Sequence, residues 1–246
     1  MKTTLIFPFI FIGSTLAAQT SVDKSIPVQP GQTIDMHFDY PELIRVSTWD
    51  KNEVSIQGMV SINGGENDDA FELQMSTSGN NVHIRNEIHN MKNLPQRITL
   101  VRDGQKTVFK SKADYNKFAD QNGKGYNMMS CGVDIDILLE IKVPHNIETR
   151  VESVYGMVEV KDFAGPLTVE ATYGGVDAAL TERTTGELIA ETNYGQIYTN
   201  LDVKFSGDRA QEKDFHTFVS AQPGSGPRYS FESKYGNVYL RKPLVH

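Results

Sequence analysis

Five glutamates stand three residues before an aromatic residue: Glu152 before Tyr155, Glu170 before Tyr173, Glu191 before Tyr194, Glu212 before Phe215 and Glu232 before Tyr235. If these segments are strands lying side by side, like residues stack about 4.8 Å apart. Neighbouring carboxylates at that spacing repel by about 1 kcal/mol per pair even in water. Arg150, Lys161, Arg183 and Lys234 stand close enough in the chain to offset the repulsion, and a divalent cation would do so more strongly. The tyrosines would stack into an aromatic ladder. On a surface such a ladder could bind sugars; inside, it packs a core.

A second group of residues carries charge of the opposite sign. Between Lys92 and Lys117 there are seven basic residues and two acidic ones, while the whole chain has a net charge of −7. Arg97, Arg102, Lys106, Lys110 and Lys112 are candidates for binding an anionic polysaccharide or lipid headgroup, against the alternative of a solvated surface hairpin. Other chemistry is set aside. There is no G-x-S-x-G, H-E-x-x-H or P-loop. His83 and His89 are poorly spaced as ligands. The run from Asp120 begins like a calcium loop but has Cys131 where the closing glutamate belongs. Asp134 and Asp136 read as a solvated strand edge. No catalytic residue, cofactor or metal site is expected, and the lone Cys131 reads as a small buried hydrophobe.

The elements that would position these residues form a repeat. VESVYGMVEV from Val151, VEATYGGVDA from Val169, AETNYGQIYT from Ala190 and FESKYGNVYL from Phe231 align without gaps. Successive tyrosines are 18, 21 and 41 residues apart. Gly207, Glu212 and Phe215 fall in phase with a missing unit, so a distorted rung is expected between Leu201 and Arg228, with a long loop as the competing reading. Strand side chains alternate between faces. Val151, Ser153, Tyr155, Val158 and Val160 thus share one side, as do their counterparts in the other units. That column is apolar or small, so the tyrosines are expected to line a buried corner. Gly156, Gly174, Gly195 and Gly236 would let the chain turn where a side chain would clash. Units of about 20 residues cannot bury an apolar face alone and must stack. The architecture expected is all-β, a parallel β-solenoid.

These repeats, with LLEIKVPHNIETRVES from Leu138 to Ser153 and the G-x-[VI] steps at the four glycines, resemble the putative-adhesin family of bacterial envelope proteins. The resemblance covers roughly residues 130 to 242 and more weakly Ile34 to Arg85. It implies a right-handed solenoid and an envelope or surface location, and it assigns no functional residues. Phe215-His216 and the segment from Met91 to Met129 depart from the pattern.

The start of the chain sets its destination. Lys2, the apolar run Leu5 to Leu16 and Ala17-Ala18 read as a signal peptide over residues 1–18, so the mature protein is expected in the periplasm or at the cell surface. Residues 19–90 read as strands capping the solenoid, with candidates at Thr33–Phe38, Leu43–Thr48, Glu53–Ile62, Ala70–Ser76 and Asn81–Ile88. Residues 91–130 read as an inserted basic hairpin, turning at Asp103-Gly104, and a short helix capped by Ser111 and Asp114. Residues 131–246 hold the repeats. The acidic balance argues against nucleic acid as partner, and no later segment spans a membrane. The function expected is a non-enzymatic, adhesin-like module for an unknown surface polysaccharide or protein. The alternative is a carbohydrate-active β-helix enzyme with two carboxylates about 5–9 Å apart in a groove.

Overall fold

The computed structural model describes residues 19–206 and 215–243. The expected signal peptide, and Gly207 and Glu212 of the expected distorted rung, lie outside the described residues. Six strands come first: β1 (Thr20–Pro27), β2 (Thr33–Phe38), β3 (Leu43–Trp49), β4 (Glu53–Ile62), β5 (Phe71–Ser78) and β6 (Asn81–Ile88). A small unit follows, with β7 (Arg97–Arg102), β8 (Gln105–Phe109), helix α1 (Lys112–Asn122) and β9 (Met128–Gly132). Then come β10 (Ile135–Pro144), β11 (Thr149–Ser153), β12 (Met157–Val160), β13 (Leu167–Ala171), β14 (Val176–Ala179), β15 (Leu188–Thr192) and β16 (Ile197–Thr199). The last are β17 (Thr217–Ala221), β18 (Tyr229–Ser233) and β19 (Val238–Arg241).

Two large mixed sheets result. One runs β1-β4-β10-β3-β12-β14-β19-β16 and the other β17-β15-β18-β13-β11-β2-β6-β5. Each Tyr-Gly unit gives its first strand to the second sheet and its second strand to the first. The repeat strands pair in parallel, and their inward residues fall in register. Val151 sits beside Val169, Val169 beside Phe231 and Phe231 beside Ala190. These residues are buried, as are Val158, Val176 and Val238 across the core. The N-terminal strands extend both sheets. β2 pairs with β11 and β3 with β12, again in parallel.

The order of the units departs from the chain. β18 and β19, the last strands, lie between β13/β14 and β15/β16. Between Leu201 and Arg228, the described residues form no parallel rung. Instead β17 runs antiparallel to β15 and closes the end of its sheet. The expectation of a distorted rung there is therefore corrected. The return strand runs in the opposite direction to the repeats, which the glycine spacing does not encode.

The segment after Met91 forms its own three-stranded sheet, β8-β7-β9. Asp103 and Gly104 both take positive φ (50° and 78°), the geometry of a two-residue hairpin turn. The Ser111 hydroxyl accepts the Asp114 N–H at 3.2 Å and caps α1. Cys131, on β9, is exposed. β9 is the edge strand of its sheet and is exposed along nearly its whole length, so the reading of a buried hydrophobe fails.

Candidate binding surface

Each Tyr-Gly corner is built the same way. The residue two before the tyrosine is small and buried, and where it has a hydroxyl it holds the turn. Ser153 Oγ accepts the Gly156 N–H at 3.2 Å, Thr192 Oγ1 the Gly195 N–H at 3.0 Å and Ser233 Oγ the Gly236 N–H at 2.9 Å. The glycine is set by close approach. A Cβ on Gly174 would overlap the Gly156 carbonyl oxygen, one on Gly236 the Gly174 oxygen, and one on Gly195 the Gly236 oxygen. The backbones therefore nest corner on corner.

The tyrosines leave these corners outward. Tyr155, Tyr173, Tyr194 and Tyr235 are 43–58 % exposed, which corrects the expectation of a buried corner. Alternation holds only along extended chain, and the bend between Ser153 and Met157 turns the ring to solvent while returning Val158 to the core. The rings still stack. Tyr155 lies 5.3 Å from Tyr173, Tyr173 5.1 Å from Tyr235, and Tyr235 5.1 Å from Tyr194, with interplanar angles of 7–11°. Phe215, 71 % exposed, caps the row at 5.5 Å from Tyr194 rather than inserting between Tyr194 and Tyr235. Tyr40 extends the other end, 6.2 Å from Tyr155. Sequence reasoning missed Tyr40 because its corner has Pro41 and one extra residue in place of the glycine. The usable signal was the aromatic after a buried strand, Phe38-Asp39-Tyr40.

Beside this row, on the outer face of the same sheet, the glutamates are in register in the order Glu152, Glu170, Glu232, Glu191. Arg150 clamps the first pair. It reaches Glu170 at 2.8 Å and 3.2 Å and contacts Glu152 closely. His37 bonds Glu152 at 2.7 Å and Asp39 at 3.0 Å. Burial works against its charge, but these two carboxylates raise its pKa above the ordinary histidine value. His216 bonds Glu191 at 2.7 Å. Glu232 has no ion pair among the described residues. Burial, then the Glu191 and Glu170 charges, push its pKa up.

The five basic candidates do not gather into one face. Arg97 is 6 % exposed and bonds Glu66 at 2.6 Å, and Lys110 reaches the same carboxylate. Lys106 pairs with Asp134 at 2.7 Å. Arg102 donates to the carbonyls of Gly125 (2.6 Å), Asn122 (3.0 Å) and Gly123 (3.3 Å), holding the end of α1. Lys112 stands exposed at the start of α1. Three of the five charges are thus met by carboxylates outside the unit, and Arg102 by carbonyls within it. Elsewhere Glu72, Glu87 and His89 bring ligand atoms within 4.8 Å of one another. They already bond each other, with His89 to Glu72 at 2.8 Å, and Gln74 bonds both carboxylates.

No family model matches the chain, and no curated protein matches it. Two solved structures are similar. One is described as a putative cell adhesion protein from Clostridium sporogenes, at 8 % identity and a TM-score of 0.46, covering 92 % of this chain and 100 % of that one. The other is described as a putative adhesin from Bacteroides fragilis, at 14 % identity and a TM-score of 0.29, covering 92 % and 99 %. Both are too distant to carry a role from one chain to the other.

Proposed function

We propose that this chain is a non-enzymatic, exported β-repeat module of the cell envelope or surface that adheres to an extended polymer along the aromatic corner. The observation that carries the reading is the unbroken row from half-buried Tyr40 through the exposed Tyr155, Tyr173, Tyr235 and Tyr194 to Phe215. A row of that shape fits a linear ligand rather than a small molecule. Because the rings stack face to face, they offer mainly their edges and phenol ends, while Phe215 at the open end of the row is the most exposed ring. The adjoining glutamates make the corner acidic. A neutral, hydroxyl-rich polysaccharide or a cationic protein segment suits it, and a polyanion does not. The signal-peptide pattern supports export, and the parallel register of the repeat strands supports the right-handed solenoid as part of the proposal.

The enzyme alternative keeps one supporting observation, the raised pKa of Glu232 between two carboxylates. A proton donor beside a carboxylate is the arrangement of glycosidases. Here, however, the carboxylates stand on the outer face of a sheet. A glycan array and a depolymerisation screen of the chain separate the two readings. The account expects binding without shortening of the polymer, and at least about tenfold weaker binding, equivalent to roughly 1.4 kcal/mol, when Tyr155, Tyr173 and Tyr235 are replaced by Ala in a chain that still folds. Undiminished binding by that variant retires the ladder as the surface. Shortened product, lost in Glu232→Gln, would establish the enzyme.

A further inference from the structure

The last strand pair fills a position that the earlier chain leaves open. β18 pairs with β13 on one side and β15 on the other, and β19 with β14 and β16. All four neighbours precede it in sequence. Ala221, ending β17, and Tyr229, starting β18, both lie opposite Leu188, on its two sides. The seven residues Gln222 to Arg228 therefore carry the chain over the end of β15 and set Tyr229–Arg241 down in a slot already bounded.

That slot is matched to its occupant. Phe231 is fully buried between Val169 and Ala190. Tyr235 completes the row between Tyr173 and Tyr194 at 5.1 Å from each. Gly236 nests under the Gly174 carbonyl and receives Gly195 beneath its own. Until the segment arrives, β13, β14, β15 and β16 each present a bare edge. Such edges pair with any strand that fits, and the segment that fits best is present at the same concentration on every other copy.

We infer that the slot between β13/β14 and β15/β16 is an exchange site whose partner is a second copy of this chain, donating its own Tyr229–Arg241. Every contact of the segment is reproduced in the exchanged pair, and only the hinge over residues 222–228 differs. In the closed form that hinge crosses about 10 Å, two strand spacings. It is tied down by the Gly186 N–H donating to the Pro227 carbonyl at 2.9 Å and the Tyr229 N–H donating to the Glu187 carbonyl at 2.8 Å. Closure within one chain wins when dilute. Conditions that open the segment at high concentration favour exchange.

The test uses full chains in which Cys131 is replaced by Ser. Thr168 and Ser230 are register partners across β13 and β18. A Thr168→Cys chain and a Ser230→Cys chain are mixed at high concentration, brought to the midpoint of urea unfolding, returned to native buffer and oxidised. A chain carrying both substitutions serves as reference and should link within itself. The expected result is a covalent species of twice the chain mass with a mapped 168–230 bond, absent from mixtures never exposed to urea. No such species, with the reference fully linked, overturns the inference. A reference that does not link overturns it too, by removing the pairing on which it stands. As a second arm, deletion of Pro223 to Pro227 leaves two hinge residues, too few to round β15. Sedimentation should then find a dimer, and a folded monomer would contradict the inference.

Discussion

Glu232 stands between Glu170 and Glu191 on neighbouring strands, with His216 and Lys234 as the nearest cations that act on it. Its pKa is raised in the folded state, so folding favours its protonated form. The stabilisation that follows is fully present below the unfolded glutamate value, about 4.3, and is lost as pH rises through the folded pKa. At neutral pH the charge is a burden. Glu232→Gln should therefore stabilise the chain at pH 7, on the order of 1 kcal/mol for each neighbouring carboxylate relieved, with the gain shrinking as pH falls toward 4. Urea unfolding of both proteins across that range checks it; a gain independent of pH would mean that repulsion is not its source. The corner residues make a second, opposed pair of predictions. Tyr173→Ala removes an exposed ring and two stacking contacts, each worth about 0.5–1.5 kcal/mol. Gly174→Ala forces a methyl into the Gly156 carbonyl and must push the two corners apart, a cost of about 3 kcal/mol or more. The alanine at the glycine should lower the urea midpoint further than the alanine at the tyrosine. The reverse order would place the stability of the corner in its rings.

At the scale of elements, the strands and corners were legible because their causes are local. Thr33–Phe38, Glu53–Ile62 and Asn81–Ile88 emerge with the bounds that alternation suggests. Asp103-Gly104 turns as its dihedral preferences require. β1 was missed because Thr20–Pro27 is mostly exposed and has no apolar alternation to read. β9 was missed because, among the described residues, its only neighbour is β7, in a small sheet that buries little of it. The outward tyrosines were misjudged because alternation was carried through a bend. The basic hairpin illustrates what charge composition hides. Its cations are plain in the sequence, yet their partners Glu66 and Asp134 lie in other segments. Arg102 has a structural task, so Arg102→Gln should speed amide hydrogen exchange across Lys112–Asn122 while leaving exchange in β11 and β13 unchanged. Unaltered exchange in α1 would show that its end is held by something else.

For the whole molecule, the stacking order could not be read from the repeat. The four Tyr-Gly units are nearly equivalent as neighbours, since each offers a like inward column and glycine, and all but the second, which has Ala171, a corner hydroxyl. What decides the order is the connection. The chain returns through antiparallel β17 and crosses over β15, which places Tyr235 between Tyr173 and Tyr194 and so makes the surface row continuous. The row includes Tyr40 from the N-terminal strands and Phe215 from the return segment, so the candidate surface draws on residues from across the chain. In the proposed function this row is the face that holds a ligand. The most direct measurement is nuclear magnetic resonance of ring-labelled tyrosines during titration with a bound polymer. The account predicts perturbation of Tyr40, Tyr155, Tyr173, Tyr235 and Tyr194 together, while Tyr198 and Tyr239, stacked on the other sheet at 5.2 Å, stay unmoved. Shifts confined to Tyr115 and Tyr126 near the basic hairpin, or to Tyr198 and Tyr239, would contradict it.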